Sequence, residues 1–414
     1  MREARRIVLL APFAPRLDAA HGGGRVTAHL AAGLAARREV ALLCLRGEDE
    51  PPVDPLLRQR CAVIEELPRP DRRRSANLGQ RLRKGAMLLA SPLAGEPAWA
   101  RLCAVPALEE RLLSLVRDWR PGVVQAEYAV MGRYLAALDG ARVRRVLVEY
   151  EPGAAAARER WRAARGKERI ERWLDLLAWQ RYERRVIRHA DAVVAFTARD
   201  REQVLARSPG AAVVTIPFGA EIPDRPLDPL GQPPPSLLFV GSFRHPPNID
   251  AAVRLAETIF PLVRRRRPGA VLHLVGEEPP DRLRDAGPGV VVTGRVPSVE
   301  PWLDRAAVVV APLRLGGGMR VKVVEALAAG KAVVATPLAV EGLAVTDGGE
   351  VLLARTDEEI AEAVAGLIED PARRAALAAR AHAWARAHLG WERCVAAYED
   401  LYDRLTDGEP GEEP

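Results

Sequence analysis

The sequence predicts an α/β protein of two doubly wound parallel-sheet domains, on three observations. The chain has 414 residues, enough for two ordinary domains at roughly 100–200 residues each. Short β-rich runs alternate with longer helical stretches from one end to the other, the pattern of βαβ units. One break interrupts the rhythm: Pro223 to Ser236 holds six prolines and almost no periodic hydrophobicity, as an interdomain linker does. The expected division is an N-terminal domain over 1–222, a linker over 223–236 and a second domain over 237–389. A C-terminal helix over 390–405, returning toward the first domain, and an acidic frayed tail over 406–414 complete it.

In the first series the expected strands are Arg6 to Ala11, Val40 to Leu45, Gly122 to Ala126, Arg145 to Glu149, Ala192 to Phe196 and Val213 to Ile216. Residues Pro51 to Glu96 do not follow the rhythm and are expected to elaborate the core. Ala154 to His189 reads as one long basic helical stretch bearing Trp161, Trp173 and Trp179. In the second series the strands are Leu237 to Gly241, Ala270 to Val275, Val290 to Thr293, Val308 to Ala311, Ala332 to Ala335 and Val351 to Leu353. Helices over Asp357 to Glu369, Ala372 to His388 and Trp391 to Leu405 close the chain.

Composition narrows the function. Hydrophobic residues are 48% of the chain, which supplies large cores and excludes a disordered or fibrous protein. Of 61 basic residues only four are lysines, Lys84, Lys167, Lys322 and Lys331. The charge is uneven: residues 1–200 carry 37 basic and 25 acidic side chains, and the remainder 24 and 30. The first half therefore attracts anions. Nucleic acid is not the expected partner, because the charge is spread among acids and no aromatic–basic motif accompanies it. The cysteines Cys44, Cys61, Cys103 and Cys394 form no C-x-x-C pair, which fits a reduced cytoplasmic compartment. No Asp-x-Asp pair in the second domain and no H-x-x-x-H spacing among the seven histidines marks a metal site.

Ligands of parallel sheets bind beyond the carboxyl ends of the strands. After the first strand, Gly22, Gly23 and Gly24 precede a helix, where backbone N–H groups can meet an anion or a sugar. After the strand ending at Ala311, a loop with Gly316, Gly317, Gly318 and Met319 feeds a helix that carries Arg320, Lys322 and Glu325 within two turns. That arrangement suits a nucleoside diphosphate: helix dipole and cations for the phosphates, and the carboxylate for ribose hydroxyls.

The run from Gly316 to Thr336 resembles the donor-site signature of retaining glycosyltransferases of family 4, which have the GT-B fold of two facing Rossmann-like domains. Phe239-Val240-Gly241-Ser242 with Asn248-Ile249-Asp250, Thr293-Gly294-Arg295-Val296-Pro297 and Ile216-Pro217-Phe218-Gly219 agree with it. The resemblance implies transfer of a sugar from a nucleotide-sugar to a glycan, lipid-linked or small-molecule acceptor, with no metal and no cofactor beyond the donor substrate. It implies catalytic roles for Arg320, Lys322, Glu325 and Tyr150. Donor-binding roles fall to Gly22, Gly23, Gly24, Gly241, Ser242, Asn248, Gly294, Arg295, Val296, Gly316, Gly317, Gly318 and Met319. Three positions depart from the pattern. Gly317 stands where relatives have a glutamate eight positions before Glu325, Ser242 where many have an arginine, and Tyr150 where many have a histidine. The departures at Gly317 and Tyr150 keep an inactive nucleotide-binding subunit as an alternative, and a nucleotide-sugar epimerase or hydrolase stays open because fold does not dictate function. The basic cluster from Arg69 to Lys84, followed by apolar Ala86 to Ala90, adds an anionic membrane surface to the expected partners.

Overall fold

A computed structural model describes residues 5–19, 21–70, 95–284, 286–318 and 320–407. The chain divides into two compact units, Met1–Pro217 with Cys394–Pro414, and Phe218–Arg393.

The first unit is built on a seven-stranded sheet in the order β3-β2-β1-β4-β5-β6-β7. Its strands are β1 Arg6–Ala11, β2 Glu39–Arg46, β3 Val63–Pro68, β4 Val123–Glu127, β5 Arg144–Glu149, β6 Ala192–Ala195 and β7 Val213–Thr215. Every pairing is parallel. The central strands are buried on both faces, as their unbroken Val, Leu and Ile runs require. Sequence order reverses between β1 and β4, so the crevice at the carboxyl ends of those two strands is the natural ligand position.

The second unit repeats the design with six strands in the order β10-β9-β8-β11-β12-β13. They are β8 Ser236–Val240, β9 Val271–Val275, β10 Val290–Gly294, β11 Val308–Ala311, β12 Val333–Ala335 and β13 Leu352–Leu353, again all parallel. Here the reversal falls between β8 and β11.

Three expectations change. The stretch Pro51 to Glu96 contains the edge strand β3, whose register runs from Ala41↔Val63 to Arg46↔Pro68. Its two consecutive glutamates, Glu65 and Glu66, hide the alternation: Arg111 pairs with the first, and Arg46 with Arg58 holds the second. The basic stretch from Ala154 is two helices, Gly153–Ala163 and Gly166–Ile187, with Ala164 and Arg165 extended between them. The proline-rich stretch is stitched into the second unit. Leu227 N donates to Ala329 O at 2.9 Å and Gln232 N to Arg305 O at 2.9 Å, while the fully buried Lys331 amine donates to Asp228 O and, at 3.2 Å, to Asp304 O. Proline lacks an N–H, so such a segment needs few partners to lie ordered on a surface.

The helix Trp391–Asp407 is joined to the first unit through its buried face. Tyr402 Oη donates to Gln125 Oε1 at 2.6 Å, Arg38 pairs with Asp403 at 2.6 Å, and a Cβ on Gly33 would come within 2.5 Å of Val395.

Candidate functional site

In the second unit the loops after β8 and β11 carry most of the residues singled out above. Gly241 N donates to Val275 O at 2.9 Å, and the chain turns at Gly241 and Ser242 into the helix Pro246–Arg254. Asn248, in the first turn of that helix and 9% exposed, lies against Gly241, where a Cβ would meet its Cγ at 2.8 Å. Its Nδ2 donates to Ser242 O at 2.8 Å. Its Oδ1 accepts from Lys322 Nζ at 2.5 Å. Asn248 thus joins the two strand-end loops through one amide.

The β11 side begins with the loop Pro312 to Gly318. Gly316 has φ +103°, a left-handed conformation that a side chain would strain. Arg320 is the N-cap of the helix Val321–Ala328 and is 8% exposed. Its Nη1 donates to Gly318 O at 2.6 Å and to Gly317 O, and its Nη2 to Gly316 O at 2.8 Å. The guanidinium fork therefore sets the shape of the glycine loop, whereas the sequence reading placed it on the phosphates. Lys322 stands in the first turn of that helix, bonded to Asn248. Its Nζ lies 5.0 Å from the centroid of the Phe239 ring. Burial, with repulsion from Arg320 and a smaller opposing pull from Glu325, brings its amine down to about 7. Glu325 follows one turn later and is half-buried.

Ser242 Oγ donates to Glu277 Oε1 at 3.1 Å, and Arg244 pairs with Glu278 at 2.5 Å. Sequence reasoning missed Glu277; its signal was the strand-end run Val275-Gly276-Glu277, equivalent to the strand ends already searched. Gly294, Arg295 and Val296 lie at the end of β10, two strands from β8. Gly294 O accepts from Gly276 N at 3.1 Å, and Arg295 is exposed. Met319 lies outside the described residues.

In the first unit, Gly22, Gly23 and Gly24 form the opening turn of the helix Gly22–Ala35 instead of a loop before it, with His21 Nδ1 accepting from Gly24 N at 3.0 Å. Gly23 is demanded by packing: a Cβ there would fall 1.6 Å from the Tyr128 hydroxyl. Tyr128 follows β4 with φ +68°, an uncommon conformation for a bulky residue that clusters at functional sites. Its ring stacks on Tyr150 at 3.9 Å between centroids and 6° between planes. Phe13 and Trp99 pack edge-on against it.

The Tyr150 hydroxyl points into the unit. It lies 2.7 Å from Thr27 Oγ1 and donates to Glu127 Oε2 at 2.9 Å. Gln125 Nε2 donates to Glu127 Oε1 at 2.5 Å, and Thr27 Oγ1 donates to Gly23 O at 2.9 Å. One hydrogen-bonded chain therefore runs Tyr402–Gln125–Glu127–Tyr150–Thr27–Gly23 through the carboxyl ends of β4 and β5. Burial pushes the Glu127 carboxyl up to about 7, opposed by the bonds from Gln125 and Tyr150. The resemblance gives Tyr150 a catalytic role; in the structure the residue is half-buried and its hydroxyl is bonded within this chain. Glu149 beside it is also buried, and burial with the Glu183 charge holds its carboxyl well above the ordinary range.

The family model for glycosyl transferases group 1 matches residues 234–370, and that for the glycosyl transferase 4-like domain matches residues 21–219. Both units carry glycosyltransferase domains. The fold of this glycosyltransferase is GT-B, shared with solved structures that are distant in sequence. Sucrose-phosphate synthase from Thermosynechococcus elongatus is 17% identical, with a TM-score of 0.68 over 98% of this chain and 100% of that one. HepE from Anabaena, in complex with UDP-glucose, is 14% identical, with a TM-score of 0.62 over 96% and 98%. A glycosyltransferase from Rickettsia africae ESF-5 is 9% identical, with a TM-score of 0.62 over 98% and 100%. A search of curated protein sequences finds no match.

Proposed function

We propose that this glycosyltransferase binds the diphosphate of a nucleotide-sugar at the carboxyl ends of β8 and β11 and transfers the sugar with retention of anomeric configuration, without a metal, as a family 4 enzyme. The observation that carries the reading is Lys322. A scarce lysine stands in the first turn of the helix Val321–Ala328, pinned by Asn248 at the point where strand order reverses. A diphosphate there would meet the helix N-terminus and the ammonium together. Lys322 neutralises charge on the departing diphosphate, Arg320 holds the glycine loop in register, and Glu325 faces the ribose. In a front-face transfer the departing phosphate oxygen takes the acceptor proton, and the protein contributes position and charge stabilisation.

The lipid-linked or other carbohydrate acceptor binds at the β1–β4 crevice of the first unit, and the enzyme works in the cytoplasm at the inner face of the membrane. Among the described residues no helix is long and apolar enough to cross a membrane, and attachment would be peripheral. The test begins with calorimetric binding of UDP, ADP and GDP, uridine first because HepE holds it. Turnover of the matching nucleotide-sugar then follows with membrane lipid extract and with EDTA present, the product anomer being read by NMR. Absence of diphosphate binding, or donor consumption without any acceptor, overturns the reading.

A further inference from the structure

Among the described residues, the first unit carries an apolar stripe outside its core. In the helix Gly166–Ile187, Leu176, Trp179, Tyr182 and Val186 are buried, which at about 100° per residue marks one face as turned to the core. Ile170, Trp173, Leu174 and Leu177 fall within roughly 100° of arc on the opposite face. Ile170 is 62% exposed and Trp173 46%. The helix meets its neighbour Gly153–Ala163 on another side, where Arg160 pairs with Asp175 at 3.2 Å and the Arg169 guanidinium lies 5.0 Å from the Trp161 ring. Neither contact covers the stripe.

Charge surrounds this stripe in a definite order. The same helical geometry puts Lys167 on one flank and Arg169 on the other, with Glu168 and Glu171 turned away from it. Arg162 and Arg165, near the turn between the two helices, are exposed. Residues 158–172 hold seven basic and three acidic side chains. Apolar side chains rimmed by cations, with acids removed to the far face, are complementary to a surface that is hydrocarbon beneath and anionic above. Tryptophan suits the boundary between the two, and long basic stems reach headgroups from a buried position.

We propose that the Ile170–Trp173 face of this helical pair docks the enzyme on an anionic lipid surface. The proposal deepens the peripheral attachment put forward above by naming the surface that makes it, and it does not depend on the donor site. The basic segment 72–84, which the sequence also pointed to, lies outside the described residues. The surface proposed here is separate in the chain and stands without it. Insertion of the two apolar side chains supplies attachment that survives salt in part, while the flanking cations supply the portion that salt removes.

The experiment is flotation of the full chain with phosphatidylcholine vesicles, with and without phosphatidylglycerol, at low and at ~0.5 M salt. The unaltered protein is expected to rise with the anionic vesicles and to release in part at high salt. Ile170→Glu with Trp173→Glu should lower its partitioning by about tenfold or more, and Lys167→Glu with Arg169→Glu should remove the salt-sensitive part. All four positions are exposed or at the rim, and nucleoside diphosphate affinity in the same preparations should be unchanged. That affinity also separates failure of this proposal from failure of the donor reading. Equal flotation of the parent and the Ile170/Trp173 variant overturns the proposal. So does a dimer that the variant dissociates in the absence of vesicle binding, since the stripe would then belong to a second copy.

Discussion

The amine of Lys322 makes the donor reading testable through protons. With its ordinary value near 10.5 brought down to about 7 by burial, only about a tenth of the free enzyme carries the ammonium at pH 8. A bound diphosphate favours the charged form; two added charges at close range are expected to raise the amine by about two pH units. Binding at pH 8 should then draw in about 0.8 proton per site, and at pH 6 about 0.1 from this group. The sign follows: affinity is highest below pH 7 and falls roughly tenfold by pH 8 as the free enzyme loses the proton that the complex retains. The diphosphate's own ionisation, near pH 6, is complete at pH 8 and does not mask the effect. Calorimetry at pH 8 in HEPES and in Tris, whose ionisation enthalpies differ, reads the uptake directly. Lys322→Arg is the control, because a guanidinium stays protonated, and it should take up none. Uptake below about 0.2 proton in the parent, or undiminished uptake in the arginine variant, would refute the assignment of Lys322 to the diphosphate.

Further outcomes follow from the first unit. Gly23→Ala puts a Cβ 1.6 Å from the Tyr128 hydroxyl and should destabilise by about 1–3 kcal/mol; an unchanged urea midpoint contradicts the packing role. Tyr402→Phe removes the donor to the buried Gln125 amide and should lose about 1–3 kcal/mol in the same assay. Glu127 is protonated below about 7 in the folded protein but ionised above about 4.5 when unfolded. Stability from this residue is therefore full below pH 4.5 and declines as pH rises from 4.5 through 7. Urea titrations at pH 5 and 7.5 should show that decline in the parent and a flatter response in Glu127→Gln.

Both sheets were legible because parallel strands buried on two faces are unbroken apolar runs, and twelve of the thirteen lie within one residue of expectation at each end. The misses have physical causes. β3 carries its acids within the strand and balances them with arginines from elsewhere, which no local pattern records. At the candidate site, the glycines and cations stand together in the sequence itself, but the direction of their side chains does not show there. Arg320 turns back on carbonyls two to four residues away, and a one-dimensional reading cannot tell a loop clamp from a phosphate clamp. In the first unit, Glu127-Tyr128 repeats Glu149-Tyr150 at the ends of adjacent strands. A charged residue closing a buried strand twice over was a readable sign of a polar network there, and only the second pair was noticed.

The long-range seam between Gln125 and Tyr402 also bears on synthesis. The strands β1 to β7 leave the ribosome early, yet the hydrogen-bond donor for Gln125 arrives 277 residues later, after the whole second unit. Until then the nascent first unit exposes the groove that Val395, Tyr398, Leu401 and Tyr402 finally fill, along with the buried amide at its floor. The second unit, continuous in the chain, can close as soon as it is made. This order of events makes the nascent first unit the aggregation-prone partner and a client for chaperones during translation. Supplying the helical segment 391–407 in trans to a stalled chain should shorten that exposure.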